Sequence, residues 1–249
     1  MEEADKLKMV RKYYFAITNA CNRSCELCSC YSDPTRSTYL NLETFKEILP
    51  KEGDFEVQLE GGEPTLHPNL EDMIRHAQET GRCTKVTLGT NATLLPYAYI
   101  DKKLDFELSV KNIKDYFLKF KTPFTLKPSI NYYLIKSDCI HLDKAESIRD
   151  AFSQLKTYGD YSLVFNVRRR KKPLSDDDDE WLVKELDRRG LKEISNLFFY
   201  QRYGYAKDRE ELELPFIIPD PVEFYLIGPD GKNWGTDLIA RSEGMKDMG

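Results

Sequence analysis

The chain of 249 residues lacks the features that mark several large classes of protein. It contains no uninterrupted apolar run near the roughly 18 residues that a transmembrane helix needs, so we expect no membrane association. The first 14 residues have no apolar signal core, which predicts a cytoplasmic protein. The charges nearly balance, with 37 Lys and Arg against 42 Asp and Glu, which argues against nucleic acid as a partner.

Cysteine is sparse and unevenly placed. Four of the six cysteines, Cys21, Cys25, Cys28 and Cys30, lie within ten residues, and only Cys83 and Cys139 stand alone. Thiols stay reduced in the cytosol, so we expect metal ligands or buried thiols rather than disulfide bonds.

Predicted strands and helices alternate along most of the chain. The β-branched and aromatic segments that predict strands are 13–19, 55–60, 84–90, 105–110, 124–135, 161–167 and 194–200. Helical patterns lie between them, over 42–49, 69–80, 112–120, 143–157 and the segment after Ser175. This order predicts an α/β fold of parallel βαβ units. Since a full eight-unit barrel takes about 250 residues, we predict a partial (β/α)6 TIM-like barrel over residues 1–205.

The segment 206–249 differs in character from the barrel. It is rich in proline, and Pro-Asp-Gly between two apolar runs indicates a turn. We predict a small C-terminal cap or a β-hairpin around Gly228 to Gly231.

One motif follows the first predicted strand directly. Cys21, Cys25 and Cys28 are spaced by four and three residues, so three thiolates can converge on one inorganic cluster. A closed zinc site takes four ligands, whereas a four-iron cluster held by three cysteines leaves one iron without a protein ligand. Cys30 is either a free thiol beside the loop or a fourth ligand, and in the second case the chain is a non-catalytic zinc or iron-sulfur module.

A second motif, Gly61-Gly62-Glu63-Pro64, ends the second predicted strand. The two glycines allow a ligand to approach the backbone closely, and the carboxylate can pair with an ammonium group. The two motifs in this order resemble those of the radical S-adenosylmethionine (radical SAM) enzymes. A weaker similarity, in the N-terminal half and residues 235–243, is to the paired radical SAM proteins of bacterial mobile elements.

The resemblance implies a fold, cofactors and an activity. The cofactors are one 4Fe-4S cluster, held by Cys21, Cys25 and Cys28, and SAM at the carboxyl ends of the strands. The residues that it implies for SAM binding are Gly61, Gly62, Glu63, Pro64, Leu27, Asn91 and Ser109. It also implies an external reductant, such as a flavodoxin- or ferredoxin-like protein, and reductive cleavage of SAM to a 5'-deoxyadenosyl radical. No cysteine follows Cys139, so auxiliary clusters are not expected.

The substrate is left open among a peptide or protein, a nucleotide and a small molecule. A glycyl-radical-enzyme activase is an alternative, although residues 106–111 resemble the Asp-X-Lys pattern of those enzymes only faintly. Asn131 and Arg168 are predicted at strand ends on the same side of the fold. The basic run 168–172 predicts either a solvated loop, balanced by the acidic run 176–179, or a patch for an anionic substrate. The acidic run itself predicts a helix start.

Overall fold

The computed structural model describes residues 10–172, 174–215 and 223–248. The N-terminal residues 1–9, on which part of the signal-peptide argument rests, and part of the predicted tail lie outside these ranges. None of the helices in the described ranges combines the length and apolar character that crossing a membrane requires.

The main sheet is entirely parallel and follows the predicted βα rhythm. Its strands, in chain order, are β1 (Arg11–Thr18), β2 (Phe55–Gly61), β3 (Cys83–Thr90), β6 (Phe124–Asn131), β7 (Tyr161–Leu163), β8 (Phe165–Arg169), β9 (Ser195–Phe199) and β10 (Phe224–Ile227). They are ordered β10-β1-β2-β3-β6-β8-β9, with β7 beside β6. This mostly parallel α/β arrangement confirms the predicted fold class.

Helices connect the strands, and most of them contribute to the apolar core on one face of the sheet. They are α1 (Leu42–Ile48), α2 (Leu70–Glu79), α3 (Phe106–Phe117), α4 (Tyr132–Ser137), α5 (His141–Leu155), α6 (Asp177–Arg188) and α7 (Leu238–Lys246). A small antiparallel pair, β4 (Ala98–Ile100) and β5 (Lys103–Asp105), precedes α3. The acidic run starts α6 as predicted, since Asp176 and Asp179 form its capping box.

Side chains on each strand alternate between two environments. Phe15, Val57, Leu88 and Leu126 face the helices and belong to one continuous core. The intervening side chains, such as Gln58 and Lys127, face a cavity on the other side of the sheet. The period of two along each strand therefore separates an apolar outer face from a polar inner face.

The predicted strand over 105–110 is wrong. Asp105 caps α3 instead, because its side chain accepts a hydrogen bond from the backbone N–H of Leu108 at 3.0 Å. Val110, Ile113 and Phe117 then lie at helical spacing and are buried. The β-propensity of the segment wrongly suggested a strand. The apolar residues that follow recur at the spacing of a helix, and this spacing decides the structure. From β1 to β9 the path of the described sheet still holds six parallel strands, because β9 takes the sixth place. Strand β10 adds a seventh beside β1.

The C-terminal segment adds a strand and a helix to the sheet. Strand β10 pairs in parallel with β1, and the chain then turns back so that Ile227 bridges Asn233 in antiparallel fashion. Helix α7 follows and contacts the short 3-10 turn Gly204–Ala206, which comes after β9. It therefore links β10, at one edge of the sheet, to the turn that comes after β9. The domain boundary at residue 205 stays a prediction.

Candidate active site

A cavity of about 500 Å³ opens at the carboxyl ends of the parallel strands. The cysteine loop that follows β1 forms one wall, and all of Cys21, Cys25, Cys28 and Cys30 line it. The inner faces of β2, β6 and β8 form the floor, and α7 contributes Leu238 and Arg241. This is the side of a parallel sheet on which such folds place their ligands.

The cysteine loop is held from several directions. Glycine is required at 204, which has φ +66°, because an added Cβ would lie 2.3 Å from the carbonyl oxygen of Cys28. The N–H of Tyr205 donates to that same carbonyl oxygen at 2.9 Å. From α7, the Ser242 hydroxyl donates to the carbonyl oxygen of Ser29 at 2.6 Å. Residues after the barrel therefore shape the loop that carries the thiols.

The three predicted cluster ligands line one cavity, in which Cys21 is buried and Cys25 and Cys28 are partly exposed. Burial raises the pKa of the thiols of Cys21 and Cys25 to about 12. Binding of a metal centre would have to release these protons. Within the described ranges, no three Cys, His, Asp or Glu side chains converge on a point where one metal ion would sit.

Cys30 lies at the other end of the loop, beside groups from β2 and α7. Burial raises the pKa of its thiol to about 11, opposed by the nearby Arg241 guanidinium. Its backbone N–H donates to the Cys28 sulfur at 3.5 Å. Cys83 and Cys139 do not line the cavity.

The Gly61-Gly62 step fits tightly against the end of β1. An added Cβ would lie 2.3 Å from the Thr18 carbonyl oxygen at Gly61 and 2.1 Å from that of Ala20 at Gly62. The N–H of Gly62 donates to the Thr18 carbonyl oxygen at 2.7 Å. Both glycines line the cavity, so the absence of side chains here keeps the floor open and the loop seated.

Glu63 and Pro64 lie behind the cavity wall rather than on it. The Glu63 carboxylate is fully buried and accepts hydrogen bonds from the hydroxyls of Thr65 and Thr90, each at 2.6 Å, and from the N–H of Asn91 at 2.6 Å. Burial raises the pKa of this carboxyl group, and those hydrogen bonds oppose the shift. The carboxylate thus fastens β2 to the end of β3, which differs from the predicted contact with the SAM ammonium group.

Other predicted residues divide into those at the cavity and those away from it. Leu27, Asn91, Asn131 and Arg168 line it. Asn91 reaches the loop directly, since its side-chain amide donates to Asn22 at 2.8 Å and lies 3.7 Å from the Cys21 sulfur. Ala92 next to it has φ +59°, a conformation that usually favours glycine.

Ser109 corrects the sequence-based prediction. It lies on α3, not at a strand end, and its hydroxyl accepts from the N–H of Ala98 at 2.9 Å. It does not line the cavity, so its side chain serves the packing of β4 on α3. Residues 106–111 belong to the same helix, and the faint resemblance to the activase pattern therefore has no strand to support it.

The structure adds functional candidates that the sequence-based argument missed. These are the cavity-lining Tyr14, Gln58, Glu60, Lys127, Tyr200, Tyr203 and Arg241. The alternation of 58 and 60 along β2 could have marked those two, because polar residues recur on one face. No local pattern could have marked Arg241, which is distant in sequence from the motifs.

Comparisons with known proteins agree with this geometry. Residues 15–121 match the model of the radical SAM superfamily. A 93-residue stretch is 37% identical to the GTP 3',8-cyclase of Chlorobaculum tepidum, covering 36% of this chain and 27% of the cyclase. The chain thus spans about a quarter of the length of this curated relative.

Solved structures show the same fold over nearly the whole chain. SuiB of Streptococcus suis bound to S-adenosylmethionine matches with a TM-score of 0.54 at 13% identity, over 91% of this chain and 60% of SuiB. SuiB bound to its precursor peptide SuiA matches with a TM-score of 0.56 at 13% identity, over 97% of this chain and 68% of SuiB. The match over residues 15–121 supports a radical SAM superfamily enzyme, and the solved structures support its α/β fold.

Proposed function

We propose that this chain is a radical SAM enzyme that holds one 4Fe-4S cluster through Cys21, Cys25 and Cys28 and cleaves SAM reductively. The observation that carries the proposal is the cavity itself: three thiols spaced by four and three residues line it together with the Gly61-Gly62 backbone. A cluster held by Cys21, Cys25 and Cys28 would supply one electron, taken from an external reductant, for cleavage of SAM to methionine and a 5'-deoxyadenosyl radical able to abstract hydrogen from a substrate.

The residues present fit these cofactors. Cys21, Cys25 and Cys28 line one cavity, and three cysteine ligands suit a four-iron cluster with one iron left for SAM, whereas a closed zinc site takes four. The Gly61-Gly62 step leaves backbone facing the cavity, and Asn91 and Leu27 complete the wall. These residues would bind and orient SAM and exclude water from it.

The reductant that we propose is a flavodoxin- or ferredoxin-like protein. A loop with its thiols near the surface would allow electron entry, and Cys25 lines both the cavity and an outer groove with Ser24, Glu26 and Tyr205. The substrate class, whether peptide, nucleotide or small molecule, is taken up below.

The test is anaerobic reconstitution with iron and sulfide, followed by dithionite and SAM. We expect one 4Fe-4S cluster per chain and formation of 5'-deoxyadenosine. Cys25→Ala should abolish both, because it removes one of the thiolates that the cluster needs. The control is Cys139→Ala, which changes an exposed thiol away from the cavity and should leave both unchanged.

Cys30→Ala separates the three-thiol site from the closed four-thiol module. The three-thiol site predicts that this variant keeps its cluster and its SAM cleavage. One zinc per chain, no SAM binding and loss of the metal in Cys30→Ala would instead establish the non-catalytic module.

A further inference from the structure

The cavity beside the cysteine loop carries an excess of positive charge. Among the described residues that line it, the charged side chains other than cysteines are Arg23, Glu60, Lys127, Arg168 and Arg241. Four of these are basic and one is acidic. The net charge of the whole chain is −5, so this excess is local.

Arg241 is the most unusual of these groups. It comes from α7, is only 6% exposed, and pairs through Nη2 with Glu60 Oε1 at 2.8 Å. Its other terminal nitrogen, Nη1, is buried without a hydrogen-bond partner. A buried charged donor without an acceptor is costly, so an incoming acceptor would be bound strongly.

Helix α7, which carries Arg241, is held in place by several contacts. Three contacts of its helix fix α7 in place: Ser242 with Ser29, and Glu243 with both the Tyr31 hydroxyl at 2.7 Å and Lys207 at 3.1 Å. The guanidinium is therefore held at the cavity rather than free to turn outward.

Arg168 and Tyr200 also line the cavity, and they lie close enough to each other to interact electrostatically. Arg168 Nη1 donates to the Ser29 hydroxyl, at a long 3.4 Å, so its hydrogen-bonding capacity is incompletely used. The Tyr200 hydroxyl is buried and has no hydrogen-bond partner. Burial raises the pKa of Tyr200 well above its ordinary value, so the hydroxyl keeps its proton and can donate it.

The next three residues of the basic run, 169–171, contact partners outside the cavity. Arg169 stacks on Phe199, Arg170 pairs with Asp179 at 2.8 Å, and Lys171 pairs with Glu213. Only Arg168 of this run lines the cavity: Arg169, the next residue of β8, points to the opposite face, and β8 ends there, before Arg170. The solvated-loop prediction therefore fits the end of the run, and the anion-patch prediction fits its first residue.

We propose that Arg241, Arg168 and the Tyr200 hydroxyl form a subsite for an oxyanion of the substrate, a carboxylate or a phosphate group. This inference rests on the proposed function, since it assigns the substrate class of the same cavity. Lys127, on the adjoining floor, adds positive charge and hydrogen-bonds to Gln58 at 3.0 Å. The substrate is thereby an anionic molecule that enters beside the cysteine loop under α7.

The test uses the reconstituted protein saturated with SAM, titrated by calorimetry with inorganic pyrophosphate and, separately, with succinate. Arg241→Lys keeps a positive charge opposite Glu60 but removes the second guanidinium nitrogen. Arg168→Gln removes the other cation. Lys171→Gln is the matched control, because it changes a cation of the same run outside the cavity.

We expect the wild type to bind at least one of the two anions. Affinity should fall about tenfold or more in Arg241→Lys and in Arg168→Gln, the effect of losing a charge-assisted hydrogen bond, and remain unchanged in Lys171→Gln. A preference for pyrophosphate assigns a phosphorylated substrate, and a preference for succinate assigns a carboxylate.

Three results would overturn the subsite: no anion binding to the SAM-saturated wild type, equal weakening in Lys171→Gln, or loss of SAM affinity in the arginine variants. In the last case the arginines hold the carboxylate of SAM itself. Formation of 5'-deoxyadenosine is measured on the same preparations. If the wild type forms none, the proposed function fails; if it forms 5'-deoxyadenosine and binds neither anion, only the subsite fails.

Discussion

The two ends of the chain build the same cavity in different ways. The N-terminal units, β1 to β3, place thiols and glycines there through short motifs whose spacing is visible in the sequence. The C-terminal segment, from Tyr200 through α7, places Tyr200, Tyr203 and Arg241 there, far in the chain from those motifs. The first end holds the two motifs that resemble the radical SAM superfamily, and the second adds polar groups around them.

The largest effect that we expect from breaking this arrangement is at Gly62, in the N-terminal end. Gly62→Ala would place a Cβ 2.1 Å from the Ala20 carbonyl oxygen, which already accepts a hydrogen bond from the Glu63 N–H at 2.8 Å. We expect the free energy of unfolding to fall by about 3 kcal/mol, the upper range for overpacking. Urea unfolding monitored by circular dichroism measures this.

Gly89→Ala is the matched control on the neighbouring strand, because its added Cβ would make only ordinary contact, at 3.5 Å from Glu60 Cβ. It should change stability little. Equal losses in the two variants would mean that strand propensity, and not the close approach of β1, explains the result.

A smaller and more local effect is expected at Gly204, in the C-terminal end. Gly204→Ala forces alanine into a left-handed conformation and against the Cys28 carbonyl oxygen. The 204–206 turn can detach from the loop, which limits the loss of stability to about 2 kcal/mol. The cysteine loop would then lose the hydrogen bond from the Tyr205 N–H to the Cys28 carbonyl oxygen.

The measurement for Gly204→Ala is therefore twofold: urea unfolding, and iron retained per chain after reconstitution and desalting. We expect iron retention to fall more than stability does. Unchanged iron retention would show that the N-terminal end seats the loop by itself.

A third variant loosens α7 without touching the cavity. The Asp237 side chain caps α7 by accepting from the N–H of Ala240 at 2.9 Å. Asp237→Ala should cost about 1 kcal/mol of stability, and Asp237→Asn should restore most of it. If the alanine variant reduces binding of pyrophosphate or succinate while SAM cleavage persists, the C-terminal segment serves the substrate. If SAM cleavage falls together with anion binding, the C-terminal segment does not serve substrate binding alone.

The smallest effect is expected at Ala92, an alanine in a backbone conformation that usually favours glycine. Its φ of +59° strains an alanine, but glycine would also gain freedom in the unfolded chain. Ala92→Gly should therefore change stability by less than about 1 kcal/mol, and SAM cleavage should persist. Loss of stability above that value would show that the alanine methyl group, which is buried, packs in an essential way.

The fold was largely predictable because strands and helices alternate with clear caps and stops. The exception, 105–110, failed where one side chain, Asp105, could start a helix within a segment of high β-propensity. The β-propensity of a short segment does not reveal whether the apolar residues after it will pack at helical or at strand spacing. That Cys21, Cys25 and Cys28 line one cavity was predictable because the motif is local in sequence, and their role as cluster ligands stays a prediction.

Other parts of the site were not predictable in this way. Glu63 was expected at the ligand, yet its carboxylate is enclosed by Thr65, Thr90 and Asn91, and only the packing of β2 against β3 could show this. Ser109 was assigned from a strand that does not form. Arg241 lies in a helix whose approach to Glu60 depends on the parallel pairing of β10 with β1.

The sequence by itself indicated the resemblance to the radical SAM superfamily, the α/β class and the clustered thiols, because the motifs rest on residues a few positions apart. The tertiary structure alone decided which charged groups share the cavity: Glu60 from β2, Lys127 from β6, Arg168 from β8 and Arg241 from α7. These residues are far apart in the chain, and they meet because strands of one parallel sheet end at the same edge and α7 packs against β10 and the 204–206 turn.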